Sequence, residues 1–226
     1  MGEQDRILES ILYADNLHHA WYLNKDFVDL HQEIKNNTLI DVFRIWTLCE
    51  FAKSVQKLDG DVIEVGVYKG GSGKILSKIM LNKTVHLFDT FEGMPDADPI
   101  MNRPISSAGG NGHKKGDFAD APFEAIKEYF SDCPNAKIVK GFFPESGKHL
   151  DNTKFCFAHI DVDIYESVKS SSEFIYHRMV PAGIIIYDDY GFYSCPGTKI
   201  AVDEFYTGKE ERPIHLPTGQ CVIIKQ

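Results

Sequence analysis

Two stretches, HIDVDIYES at 159–167 and GIIIYDDYG at 183–191, each carry an apolar run straight into clustered carboxylates. Buried strands do not finish in massed negative charge unless something positive sits there. Both runs belong to a longer alternation. DVIEVG, TVHLFD, AKIVKG, KFCFAHID and GIIIYDD read as short strands. Between them, VYKGGSGKILSKIM is a Gly-rich turn into an amphipathic helix, and FEAIKEYF, SVKSSSEFIYHRM and TKIAVDEFY read as helices. Strands alternating with helices imply a parallel sheet with right-handed crossovers. The end, PIHLPTGQCVIIKQ, reads as two strands around a Thr-Gly turn, which makes the last strand antiparallel. The expected fold is α/β: a doubly wound, mostly parallel sheet with an antiparallel last strand and an N-terminal helical extension.

The extension covers residues 1–58, and the sheet domain covers 59–226. In the extension Ile7, Leu8, Ile11 and Leu12 recur at helical spacing, and Val42, Ile45, Trp46, Cys49 and Phe51 do so again. Thr38 or Asp41 would start the second helix. A segment ahead of the first core strand is suited to be a lid over the site or a contact in a homo-oligomer. Residues 95–117, PDADPIMNRPISSAGGNGHKKGD, have no periodicity and far exceed the usual ~4–6-residue connection. They read as a lid over a site rather than as simple disorder.

A net charge of −9 argues against nucleic acid and against an anionic membrane surface as partners. No apolar run approaches the ~20 residues of a membrane span, and MGEQDRILES lacks the character of a signal peptide. Five cysteines, Cys49, Cys133, Cys156, Cys195 and Cys221, show no CxxC pairing. They are expected to be reduced thiols of a cytoplasmic protein, acting as small buried hydrophobes rather than as nucleophiles.

EVGVYKGGSG lies after strand one and before helix one, where a doubly wound sheet binds a nucleotide. Gly66, Gly70, Gly71 and Ser72 supply small residues for close approach of a ligand, or merely for tight packing. Counting from Gly66, the second glycine of a G-x-G-x-x-G fingerprint is replaced by Tyr68, which blocks a pyrophosphate and disfavours NAD. No G-K-[ST] follows, which excludes a P-loop. Asp89 ends strand two, where a carboxylate commonly accepts from ribose hydroxyls. Adenosine without pyrophosphate describes S-adenosylmethionine.

VIEVGVYKGGS, LFDTFEGMP, GFFPES, HIDVDIYES and IIIYDDYG…CPGTKIAVDEF together resemble the TylF-type (macrocin O-methyltransferase) family over residues ~60–206. The resemblance implies a Rossmann-like, class I methyltransferase fold and an S-adenosylmethionine- and magnesium-dependent sugar O-methyltransferase. It implies that Glu64, Gly66, Tyr68 and Ser72 line the methionine end of the cofactor and Asp89 the ribose. Asp117 and Phe118, in KGDF, and Phe142, in GFFPES, would fall near the adenine, although core packing accounts equally for the two phenylalanines.

Asp161 and Asp188 follow strands that this fold sets side by side, ~4.8 Å apart, with Asp189 one residue on. Three carboxylates without His or Cys suit a hard cation, and the resemblance selects magnesium. An acidic edge with no ion is the plainer alternative. If the segment is extended, Asp163 points the same way as Asp161 and is the candidate general base for the acceptor hydroxyl. Catechol-type relatives of this frame use a Lys base shortly after the first metal Asp and an Asn as last ligand; Ile164 and Asp189 stand in those places here. Both departures favour a sugar or glycoside acceptor over a phenol. A non-catalytic adenosine-binding protein would not need the clustered aspartates. His159 reads as a satisfied core histidine, and His113 as a solvated loop histidine rather than one that reaches the acceptor, beside solvent-facing Lys114 and Lys115.

Overall fold

The computed structural model describes residues 21, 23–95 and 113–226. The expected helical repeat at Ile7–Leu12 and most of the 95–117 connection lie outside these residues. Helices α1 (Lys25–Ile34) and α2 (Val42–Ser54) precede strand β1 (Asp61–Val65). Then follow α3 (Gly71–Ile79), β2 (Val85–Asp89), α4 (Phe123–Tyr129) and β3 (Ala136–Lys140). A 3₁₀ turn (Glu145–Leu150), β4 (Phe155–Ile160), α5 (Tyr165–Tyr176) and β5 (Met179–Tyr187) come next. The described chain closes with α6 (Pro196–Tyr206), β6 (Ile214–His215) and β7 (Cys221–Ile224).

The seven strands form one sheet in the order β3-β2-β1-β4-β5-β7-β6. β1 to β5 are mutually parallel, and β7 runs antiparallel to both β5 and β6, as the sequence led us to expect. Strand order reverses between β1 and β4, so the crevice that binds ligands in such sheets opens at their carboxyl ends.

Alternation along the strands builds a core on each face. Val62, Phe157, Ile184 and Ile186 pack with Leu48 and Ala52 of α2, Leu76 of α3 and Ile126 of α4. Ile63, Ala158, Ile185 and Tyr187 pack with Val168 and Ile175 of α5 and Ala201 and Val202 of α6. The N-terminal helix α2 thus shares the core of the sheet rather than resting on it. Asp41 caps it, its Oδ1 accepting from the Phe43 and Arg44 amides at 2.9 and 3.1 Å. Among the described residues no helix is long and apolar enough to cross a membrane.

The parallel ladder continues past the strands: Asp161 N donates to Val65 O (2.9 Å) and Asp188 N to Ile160 O (3.0 Å). Since Ile160 is in register with Tyr187, Asp161 and Asp188 end up abreast. Gly66 makes this edge possible. Its φ is +90°, and a Cβ there would sit 1.7 Å from the Asp161 carbonyl oxygen. Gly66→Ala therefore drives the ends of β1 and β4 apart as well as straining the backbone. We expect a loss of more than ~3 kcal/mol in urea denaturation, and an unchanged midpoint would refute this account.

Candidate active site

A cleft of ≈ 1100 Å³, open mouth included, lies over the switch point. One wall is the turn after β1, with Gly66, Tyr68 and Ser72; another is Asn37, Thr38, Leu39 and Ile40, between α1 and α2. Phe118, Phe142 and Phe143 supply aromatic surface, and Asp161, Asp163, Asp188 and Asp189 line the acidic end.

The turn is organised by Asp89. Its Oδ2 accepts from the amides of Val67 and Tyr68, each at 2.8 Å, and its Oδ1 from Phe91 N at 2.8 Å. Tyr68 sits at φ +50°, a left-handed conformation costly for a bulky residue, and the Asp89 bond offsets that cost. Its ring meets Phe118 edge-on at 5.4 Å. Phe142, 48 % exposed, lies at the cleft and not in the core, whereas its neighbour Phe143 is buried. Two glycines serve packing instead of a ligand. A Cβ on Gly70 would meet Phe130, and one on Gly71 would meet Thr38 and the Asn37 carbonyl.

Two residues expected around the cofactor lie off the cleft wall. Glu64 is fully buried beneath it, where Oε1 takes a 2.8 Å bond with His159 Nδ1 and Oε2 has no partner. Asp117 shapes the turn before Phe118: its Oδ2 accepts from Lys114 N at 2.8 Å and its carbonyl from Met94 N at 2.8 Å.

The acidic end divides differently from the expected Asp161, Asp188, Asp189 set. Carboxylate oxygens of Asp161, Asp163 and Asp189 lie within 4.8 Å of one another. Burial, then Asp188 and Asp189, hold Asp161 well above the ordinary carboxylate range. Burial, then Asp163 and Asp188, do the same to Asp189. Asp188 is the exception: it is drawn below the ordinary range because its partners outweigh its burial. Its Oδ1 accepts from Gln220 Nε2 at 2.7 Å and faces His159 Nε2 at 3.4 Å, while its Oδ2 is clamped by Arg44 Nη1. The same guanidinium nitrogen lies 3.6 Å from Asp189 Oδ1. Burial would lower the Arg44 pKa, but Asp188 and Asp41 reverse the sign.

Asp163 comes into the group, though not by the expected extended geometry. Its φ is +58°, and Thr198 Oγ1, in the first turn of α6, holds its carbonyl at 2.9 Å. His113 is a correction as well. Far from being a solvated loop residue, it puts Nε2 3.1 Å from Asp163 Oδ1. Cys195, a buried free thiol like the other four, closes on the same pair.

Oxygen-only ligands at a repelling acidic edge fit a hard divalent cation, and Arg44 already stands in as positive charge between Asp188 and Asp189. The partly aromatic cleft over a glycine turn fits a nucleoside with a short polar tail. With that arrangement in view, the comparison with known proteins is decisive, since residues 34–222 match the family described as Macrocin-O-methyltransferase (TylF). The chain belongs to this family of O-methyltransferases. It is 23% identical over 223 residues to demethyldecarbamoylnovobiocin O-methyltransferase of Streptomyces niveus, covering 88% of this chain and 82% of that one. It is 24% identical over 223 residues to mycinamicin III 3''-O-methyltransferase of Micromonospora griseorubida, covering 88% and 85%. Among solved structures, the O-methyltransferase NovP superposes with a TM-score of 0.69 at 22% identity, over 84% of this chain and 82% of that one. Calicheamicin methyltransferase CalS11 superposes with 0.68 at 18%, over 88% and 93%.

In this TylF-family chain, sequence reading missed Arg44 and Gln220, which sit 144 and 32 residues from Asp188. Only the need to balance buried carboxylates signals that such partners exist. His159 is satisfied, as expected, with a carboxylate at each ring nitrogen. Burial disfavours its charge, yet the bonds to Asp188 and Glu64 outweigh that and raise its pKa from 6.5 to about 10. A raised folded-state pKa gives stability that is fully present below pH 6.5 and lost as pH climbs through 10. The stability gap between wild type and His159→Gln should therefore shrink between pH 6.5 and 10 in denaturant titrations. A gap that stays constant over that range would show that His159 is buried neutral.

Proposed function

We propose that this O-methyltransferase moves a methyl group from S-adenosylmethionine to a hydroxyl of a sugar or glycoside, with magnesium bound at Asp161, Asp188 and Asp189. The observation that carries the reading is the convergence of these carboxylates with Asp163 at the switch point, on the rim of a cleft shared with the glycine turn. Relatives acting on mycinamicin III at a 3'' position and on a rhamnosyl tetracenomycin at 4'-O support the acceptor class.

The bound cation would lower the pKa of an acceptor hydroxyl, and S-adenosylmethionine would supply an electrophilic methyl group. The chain's part is to position and to move a proton. Gly66, Tyr68 and Ser72 would hold the methionine end of the cofactor, and Asp89 would meet the ribose with the one Oδ1 lone pair that the Val67, Tyr68 and Phe91 amides leave. Phe118 and Phe142 would flank the adenine. Asp163 Oδ accepts the hydroxyl proton, steadied through its backbone by Thr198. Asn37 to Ile40 line the same cleft, and acceptor choice would fall to this α1–α2 connection.

Arg44 must yield Asp188 for the third ligand to turn to the ion. Arg44→Met should raise affinity for Mn²⁺, used as a magnesium surrogate in a paramagnetic titration, by roughly tenfold, about 1.4 kcal/mol. Weaker binding in that variant would mean that Arg44 builds the site instead of competing for it. Methyl transfer from labelled S-adenosylmethionine should mark sugars or glycosides, not catechols, and stop in excess chelator. Asp163→Asn should cut the rate by 10²-fold or more, on the order of a lost general base, with Mn²⁺ binding kept. Label on catechols alone, or full activity in chelator, would overturn the acceptor or the metal assignment respectively.

A further inference from the structure

Asp163 belongs to two groups at once: one face meets Asp161 and Asp189, the other meets His113 and Cys195. The second group differs chemically, offering one nitrogen, one oxygen and one sulfur. His113 Nε2 lies 3.1 Å from Asp163 Oδ1, Cys195 Sγ lies 3.5 Å from His113 Nε2, and Cys195 Sγ lies 3.4 Å from Asp163 Oδ1. A tetrahedral zinc ion with ordinary Zn–N, Zn–O and Zn–S bonds separates such ligand atoms by about 3.4 to 3.6 Å. The triangle already has the dimensions of one face of that tetrahedron, to within a few tenths of an ångström.

Its supports match as well. Asp163 and Cys195 are fixed relative to one another by α6, since Cys195 caps that helix and Thr198 in its first turn bonds the Asp163 carbonyl. Behind the His113 ring, Nδ1 lies 4.0 Å from Asp117 Oδ2. That is beyond hydrogen-bond reach, and Oδ2 already accepts from Lys114 N, so Asp117 acts on the ring through its charge alone. Asp163 lines the cleft, and His113 and Cys195 approach its carboxylate from beside it.

We propose that His113, Asp163 and Cys195 form a second metal site, selective for thiophilic divalent cations such as Zn²⁺, and that its occupation inhibits the enzyme. Binding forms Zn–N, Zn–O and Zn–S bonds, and the Cys195 thiol proton leaves to solvent. No electron is transferred. Magnesium does not compete, because it disfavours sulfur and nitrogen ligands. The consequence for catalysis rests on the proposed role of Asp163 as base, since an ion on its carboxylate removes it from proton transfer. The binding itself does not rest on that role.

The full chain, freed of metal by chelator, is titrated with Co²⁺ in excess Mg²⁺. We expect one equivalent to bind, with visible bands of tetrahedral cobalt and a near-ultraviolet thiolate charge-transfer band, both abolished by Zn²⁺. Cys195→Ser should lose the thiolate band. Absence of tetrahedral bands in the folded protein, or a thiolate band that persists in Cys195→Ser, overturns the site. In the methyl-transfer assay, Zn²⁺ should inhibit wild type at concentrations that spare Cys195→Ser. If cobalt binds as described but zinc leaves the rate untouched, the site stands, and its inhibitory role, together with Asp163 as base, falls.

Discussion

Glu64, Asp161, Asp163, Asp188 and Asp189 all reach one edge of one sheet, and the need to compensate that charge organises the rest of the molecule. A buried carboxylate without a partner costs several kcal/mol, so positive and polar groups must be brought to it from wherever the chain can supply them. His159 comes from within β4 itself and bridges Glu64 to Asp188. Arg44 comes from α2, and its backbone carbonyl is in turn met by Gln220, 3.4 Å away. Gln220 arrives from the segment before β7 and also bonds Asp188. The acidic edge thereby ties an early helix and a late strand to the centre of the sheet. What is left least compensated, around Asp161 and Asp189, is the part that fits a cation.

Much of this was legible in the residues. Short apolar runs that end in acids specify both the strands and the place where their side chains emerge. The parallel pairing of β4 with β5 then puts Asp161 beside Asp188 without further information. Tyr68 was likewise visible as a departure from a dinucleotide pattern, and Asp89 as the carboxylate that ends β2; the structure adds that the Tyr68 amide is spent on Asp89.

The remainder lay in contacts with no sequence period. Arg44 sits in a helix whose pattern records only its packing face, so nothing local marks it as the partner of a residue 144 positions away. Asp163 was placed for the wrong reason, since a single left-handed residue replaces the extended geometry that alternation assumes. Gly70 and Gly71 show the opposite ambiguity. A glycine demanded by a neighbouring side chain cannot be told from one demanded by a ligand until the neighbour is seen. The family match from 34 to 222 spans both Arg44 and Gln220, so the compensating groups lie inside the part shared with the relatives.

The position of β7 has a temporal meaning. It follows every other strand in the sequence yet sits inside the sheet, between β5 and the short β6. As the chain emerges from the ribosome, β5 keeps an open edge, with Ile184 to Tyr187 unpaired on that side, until the last strand is made. Asp188 meanwhile lacks Gln220. The nascent protein thus holds an apolar strand edge open while Asp188 still lacks one of its three partners, and a single late pairing event supplies both.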